Sequence, residues 1–455
     1  MPGVGEKQGE RRNRGKKATQ KIEKEGAMAK PLGEKAISVG EAGKGVTGVE
    51  LVETRITGYM WMVLFVALAG YIFDAFEVML YSNALVEIKK EFSFNFAGSG
   101  TVMTLSLLGY AVGGMFWGPM TDKIGRIKVM MWTVAGYAVF TGLTAAAWSA
   151  VSLIGFRFLM GFFAGGEWAA GAALITETWP AKYRGRVMAV MQTGWPIGAI
   201  FASIIYAGVA PTWGWRWVFV SGIVPAVIVF IIRMSLKESD SFQQHKASGT
   251  QISWTGIFQG KYLKRTSMFI LISFIGLLGY WCIMTWIPAM LRAERGMTIF
   301  QSSMWFIVIN VGSMCGYLSF GFVADHLGRR PGFSIYWLVA MIAAPTFAFY
   351  AKDPTLMVVF GFILGISMGY FSGYPLYGSE LWPTALRASG MGIAYTGIAR
   401  VASTFGPMVI GAVADKVGIA TAISVMASSY IVAVILIWAM GYETKGKTLG
   451  ELDAM

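Results

Sequence analysis

The sequence predicts an all-α membrane protein with twelve transmembrane helices in two six-helix bundles. Three observations predict it. Of 455 residues, 55% are hydrophobic and only 14% charged, where a soluble domain carries about a quarter charged. The charge is also uneven: residues 1–57 hold twelve Lys/Arg and eight Glu, and residues 92–121 hold no charged residue at all. Stretches so long and apolar read as helices that cross a bilayer. Finally, two separate motifs recur in the second half of the chain at one fixed offset.

Along the chain, residues 1–57 are rich in Lys, Arg, Glu and Gly and are expected to form a disordered, basic cytoplasmic tail. Six spans follow, at 58–82, 98–120, 127–148, 152–176, 187–209 and 216–235, and form an N-terminal bundle over 58–235. A polar cytoplasmic linker, 236–265, divides them from the C-terminal bundle, 266–441. Its spans are 266–290, 302–324, 333–351, 355–378, 389–413 and 419–441, with a cytoplasmic tail at 442–455. Ala210-Pro211-Thr212 and Asp353-Pro354 supply turn signals between spans.

With the helices drawn this way, Lys and Arg crowd one alternating set of loops and both tails. That asymmetry puts both termini in the cytoplasm of a multi-pass protein of the cell membrane. It also accounts for the net charge of +13 without nucleic acid. Cys282 and Cys315 lie in apolar helices, and His245 and His326 are too few and too far apart for a metal cluster. Gly441 to Thr448 matches the spacing of a phosphate loop, but that loop needs a strand before it and a helix after it. Here a membrane helix precedes it and the chain ends seven residues on. No cofactor, no metal and no catalytic constellation are expected.

After the second span comes Gly118-Pro-Met-Thr-Asp122-Lys-Ile-Gly125-Arg126, and after the eighth Gly321-Phe-Val-Ala-Asp325-His-Leu-Gly328-Arg329. After the fourth comes Glu177-Thr-Trp179-Pro180-Ala-Lys-Tyr-Arg184, and after the tenth Glu380-Leu-Trp382-Pro383-Thr-Ala-Leu-Arg387. Both pairs are 203 residues apart, which marks duplication of a six-helix unit. The charges at these loops read as a latch in which Asp122 and Asp325 accept hydrogen bonds from Arg184, Arg387 or helix ends. Arg126, Arg329, Glu177 and Glu380 complete the set of candidate gate residues.

These motifs resemble the major facilitator superfamily, over residues 58 to about 450. Tyr442-Glu443-Thr444-Lys445-Gly446-Lys447 is similar to the Pro-Glu-Thr-Lys-Gly ending of sugar porters, with Tyr in place of Pro. Gly165-Gly166-Glu167-Trp168 and Asp74-x-x-Glu77 look most like the sialate, lactate and aromatic-acid proton symporters. The resemblance implies two bundles related by an axis along the membrane normal.

Asp74 and Glu77 share one face of the first helix and are candidates for proton coupling. A mid-membrane anion costs about 2.5–3.5 kcal/mol, so each should protonate, find a cation or meet water. Arg157 and Glu167 on the fourth span lie about 15 Å apart along the helix and cannot pair directly. Arg157 is placed to meet an acid of the first helix. Arg400 has no acid on its own helix, and its planar fork suits a carboxylate. Arg400, Arg157, Glu167, Gln192, Trp195, Tyr280, Asn310, Tyr370 and Tyr374 are the candidate substrate residues; Trp281, Trp286 and Tyr377 are further candidates for the cavity wall.

The expected function is secondary active transport, not catalysis: proton-coupled symport of a small organic carboxylate by a monomer in the bilayer. A sugar or polyol porter and a transporter-like solute sensor are the alternatives.

Overall fold

The computed structural model of the chain describes residues 56–234, 254–382, 386 and 390–446. The expected tail as far as residue 55, most of the linker and the residues after 446 lie outside the described residues. No strand occurs among the described residues. Eleven helical stretches are long and apolar enough to cross a membrane. The remaining span, the fourth, is built of Ala150–Ala164 followed by Glu167–Thr178.

Polar caps set where several spans begin. Asn95 accepts from the Gly98 amide at 2.7 Å, and Asp353 from those of Thr355 and Leu356 at 3.0 and 3.1 Å, with Pro354 just inside the helix. Ser149 and Thr298 each form a capping box. These side chains satisfy amides that lipid could not.

The first helix runs Gly58–Glu91, well beyond the expected 58–82. Its extra turns are polar, yet the structure supplies them with partners: Glu91 accepts from the Trp215 indole at 2.8 Å, and Glu87 from Tyr206. Hydropathy alone stops at the first such residue. Pro211 is a correction of another kind. It lies inside Gly194–Trp213, and the turn falls instead at Gly214, φ 80°. A proline so near a helix end removes only one hydrogen bond.

Glycine brings the helices of each half together. A side chain at Gly109 or Gly113 of the second span would meet the Phe158 or Phe162 carbonyl of the fourth. Gly161 and Gly165 press back on the carbonyls of Ser106 and Tyr110. The eighth and tenth spans repeat this contact, Gly312 and Gly316 against Phe362 and Ile366, and Gly365 against Ile309. Without a hydrophobic force between helices in lipid, such close backbone packing is what associates them. The duplicated loops are equally alike. Gly125 and Gly328 both have φ 108°, which only glycine adopts freely, and each starts the next helix.

Gly113→Leu should therefore lower the unfolding temperature of the purified protein, since overpacking costs about 1–3 kcal/mol or more. Gly118→Ala, at a glycine with open space around it, should leave it within a degree or two. Equal effects would mean that the helix contact does not depend on glycine.

Candidate functional site

Between the halves lies a small, partly open cavity lined by Tyr71, Trp168, Gln192, Trp195, Tyr280, Trp281, Phe371, Tyr395 and Arg400. The N-terminal half supplies the first four and the C-terminal half the others. Indoles and phenols make its wall. Trp195 donates to the Tyr280 hydroxyl at 2.5 Å, across the two halves, and Trp168 donates to the Gln192 side-chain oxygen at 2.8 Å. Tyr280 stacks edge-on to Phe371 with centroids 4.6 Å apart.

Arg400 is the one charged residue among those lining the cavity. It follows directly on Gly390–Ala399, which is wound as a π-helix, a wide geometry that recurs at functional sites. Its guanidinium lies 4.0 Å over the Tyr110 ring and makes no hydrogen bond to a described residue. Tyr110 in turn donates its hydroxyl to Asp74 Oδ2 at 2.5 Å, while Asp74 Oδ1 has no partner.

Of the nine expected substrate residues, Arg400, Gln192, Trp195 and Tyr280 reach the cavity. The structure puts the other five elsewhere. Glu167 turns away from its neighbour Trp168 and forms a fully buried ion pair with Arg233 of the sixth span, bonded also to Thr133. Arg157 sits behind the first helix, donating to the Glu77 carbonyl and Ser106 Oγ at 3.3 Å each. Asn310 bonds back to the Phe306 carbonyl of its own helix at 2.8 Å. Tyr370 donates to the Gly276 carbonyl at 2.9 Å and Tyr374 to that of Ile272 at 3.3 Å, so both are structural ties. Trp281 lines the cavity, but Trp286 donates to Pro407 and Tyr377 to Tyr442, away from it. A period of 3.6 places a residue on a face without saying which neighbour the face meets.

Tyr71, Trp168, Phe371 and Tyr395 were missed as lining residues, and Tyr110 as their support. Tyr71 had a signal, since it lies three residues before Asp74 on the same face. The others are aromatics in apolar helices and carry none. Glu77 is buried, accepts from Thr141 at 2.6 Å and leaves Oε1 without a partner.

At the loop-motif end, Arg329 bonds Asp325 at 2.7 Å and Glu380 at 2.7 and 3.1 Å. Glu380 accepts from Thr444, and Glu443 accepts the backbone amides of Arg329 and Arg330 at 2.9 and 3.1 Å. These ties stay within the C-terminal half. Asp325 thus pairs with the arginine of its own motif, four residues on, while Arg387 lies outside the described residues. In the first motif Arg126 reaches the Thr121 carbonyl at 3.3 Å, as Arg329 reaches that of Ala324 at 2.9 Å. The side chains of Asp122, Glu177 and Arg184 lie outside the described residues.

At the opposite end the halves are joined directly. Arg292 pairs with Glu87 and reaches Tyr206 at 3.1 Å. Asp415 accepts the Phe96 and Ala97 amides at 2.9 and 3.0 Å, at the start of the second span.

The Major Facilitator Superfamily profile matches residues 67–407. A Haemophilus influenzae protein that bears the name of a metabolite transport protein is 32% identical over 87% of this chain and 99% of its own length. The cis,cis-muconate transport protein of Acinetobacter baylyi is 28% identical over 83% of this chain and 94% of its own. Among solved structures, the inward-open form of the E. coli xylose transporter XylE superposes with a TM-score of 0.70 at 17% identity. That match covers 87% of this chain and 99% of XylE.

Glu167→Gln or Arg233→Met alone should destabilise the protein by about 3–5 kcal/mol, because each strands a buried charge. The double change to apolar residues should recover most of that loss in thermal unfolding; additive losses would deny the pairing. Glu443 gives a second expectation. Burial alone would raise its carboxyl, but the amides of Arg329, Lys445 and Arg330 hold it below its ordinary 4.5. Its stabilisation is therefore full above that pH and fades as pH falls through the folded value. Glu443→Gln should flatten this acid-side slope.

Proposed function

Since the chain belongs to the Major Facilitator Superfamily and is a multi-pass membrane transporter rather than an enzyme, we propose that it carries a small organic carboxylate together with a proton, by alternating access. The observation that carries this reading is Arg400, alone among charged residues in an aromatic cavity, with a guanidinium that makes no hydrogen bond to a described residue. A guanidinium kept in such a place needs an anion, and a carboxylate matches its paired donors. The rings around it suit the flat or apolar body of a small acid. The muconate named for the Acinetobacter baylyi relative is itself a carboxylate.

Asp74 is the proton carrier in this reading, with Glu77 one turn further along the same helix. Each keeps one oxygen without a partner at the centre of the membrane. The basic loops mark the motif end as cytoplasmic. The Glu87–Arg292 pair and the Asp415 cap then close the outer mouth.

The sugar-porter reading is less well supported. The Glu443-Thr444 segment is engaged in holding helix ends together, and the likeness to XylE is one of fold alone. A sensor would bind solute without exchanging it, so counterflow in proteoliposomes separates that possibility.

Purified protein should be screened by thermal shift against benzoate, lactate, muconate and xylose at two pH values. Stabilisation by acids alone, stronger at low pH, is expected; stabilisation by xylose alone would refute the carboxylate reading. Arg400→Lys should weaken acid binding about tenfold and Arg400→Ala up to a hundredfold, as about 1.5–3 kcal/mol of a charge-assisted contact is lost. An amide analogue should be indifferent to both. Asp74→Asn should abolish accumulation driven by a pH gradient while sparing counterflow, and Glu77→Gln should impair it. Undiminished uphill uptake by both mutants would remove these acids from the mechanism.

A further inference from the structure

Among the described residues, six carboxyl and guanidinium side chains away from the loop motifs are buried in the N-terminal half and its contact with the eleventh span: Asp74, Glu77, Glu167, Arg157, Arg233 and Arg400. Three are acids and three are cations. Glu167 and Arg233 neutralise each other by contact. Glu77 and Arg157 are neighbours held through the Glu77 backbone. Asp74 and Arg400 remain, and they do not touch. Tyr110 stands between them, its hydroxyl on Asp74 at 2.5 Å and its ring 4.0 Å under the Arg400 guanidinium.

We propose that Tyr110 is the positioning residue that links the protonation of Asp74 to anion binding at Arg400. This rests on the carboxylate and proton reading above. With the site empty, ionised Asp74 is the distant counter-ion of Arg400. The hydrogen bond to that anion draws the phenol proton away from the ring and makes the π face more negative, which strengthens its hold on the guanidinium. A substrate carboxylate cannot enter without adding an unbalanced charge, a costly state in so dry a place. When a proton from water is transferred to Asp74, its carboxylate becomes a neutral acid and the Tyr110 bond loses its charge assistance. Arg400 then pairs with the carboxylate that enters. One proton and one carboxylate are taken up, and the site stays neutral before and after. The other titratable and charged groups that act on Asp74 are Glu77, Glu167, Tyr71 and Tyr137. Arg233 and Thr133 occupy Glu167, and Thr141 bonds Glu77, while Tyr110 is hydrogen-bonded to Asp74 and stacked on Arg400.

The test uses the full-length protein in detergent and benzoate, a flat monocarboxylate, as the probe. Proton uptake is followed with a pH dye in weak buffer while binding is measured by calorimetry. The wild type should take up about one proton per benzoate bound, and Asp74→Asn none. Tyr110→Phe keeps the ring under Arg400 and removes the hydroxyl, so benzoate should bind within about threefold of wild type with proton uptake far below one. In the Asp74→Asn background, Tyr110→Phe should change nothing further, and this arm also serves if the single variant is unstable. Wild-type stoichiometry in Tyr110→Phe, or a further loss in the double variant, would overturn the role of Tyr110. A wild type that binds benzoate without proton uptake would overturn the charge exchange. No binding to wild type, together with no effect of Arg400→Ala on any carboxylate tested, would instead overturn the carboxylate reading.

Discussion

An ion buried in the membrane must be neutralised where it stands, and the arrangement of this protein follows from that demand. Water cannot reach Glu167, Arg233, Arg157 or Glu77, each no more than 2% exposed, so partners must come from neighbouring helices. The Glu167–Arg233 pair ties the fourth span to the sixth and lies hard against Gly70 of the first. Arg157 ties the fourth span to the first and second. Four helices of one half, the first, second, fourth and sixth, are thus tied together through buried ions. Arg157 meets only neutral oxygens, those of the Glu77 backbone and Ser106, whereas Arg400, also without a contacting anion, is the cation that faces the cavity.

The scaffold that makes such pairing possible is glycine-rich. The second and fourth spans meet through Gly109, Gly113, Gly161 and Gly165, and Tyr110 of the second span reaches Asp74 of the first and Arg400 of the eleventh. The C-terminal half has the same close contact between the eighth and tenth spans but uses it differently. Its core includes buried tyrosines, Tyr370 and Tyr374 bonded to backbone carbonyls and Tyr370 to Tyr430. The two halves meet at an aromatic seam where Trp195 donates to Tyr280. Duplication preserved the packing while the chemistry of the halves diverged.

The two ends of the molecule are held by different means. At the motif end Arg329 gathers Asp325 and Glu380 while Glu443 caps the ninth span, all within one half. At the other end Glu87, Arg292 and Asp415 bridge the halves. Ties inside a half make it a rigid body. In the proposed alternating access, it is the ties between halves that break and re-form while each bundle keeps its own. That division of labour is what a rocking motion of two rigid bundles requires.

Hydropathy, charge asymmetry and the 203-residue repeat were enough to determine the class of protein, the order of its spans and its superfamily, because the lipid solvent constrains every residue of a span alike. The Gly125 and Gly328 turns were legible for the same reason, as a backbone conformation that one residue type adopts freely. Asp74, Glu77 and Arg400 were conspicuous because charge is so rare in apolar helices. What each charge meets could be decided only by tertiary packing. Glu167 and Arg157 looked like substrate residues until Arg233 and the first helix gave them partners. Glu87, Arg292 and Asp415 looked like ordinary loop charges until two halves far apart in sequence were brought together. Tyr110 is one tyrosine among many in an apolar span, and nothing in its sequence neighbourhood marks it. Its place between an acid and a cation depends on the first, second and eleventh spans meeting, a relation in space that no local pattern encodes.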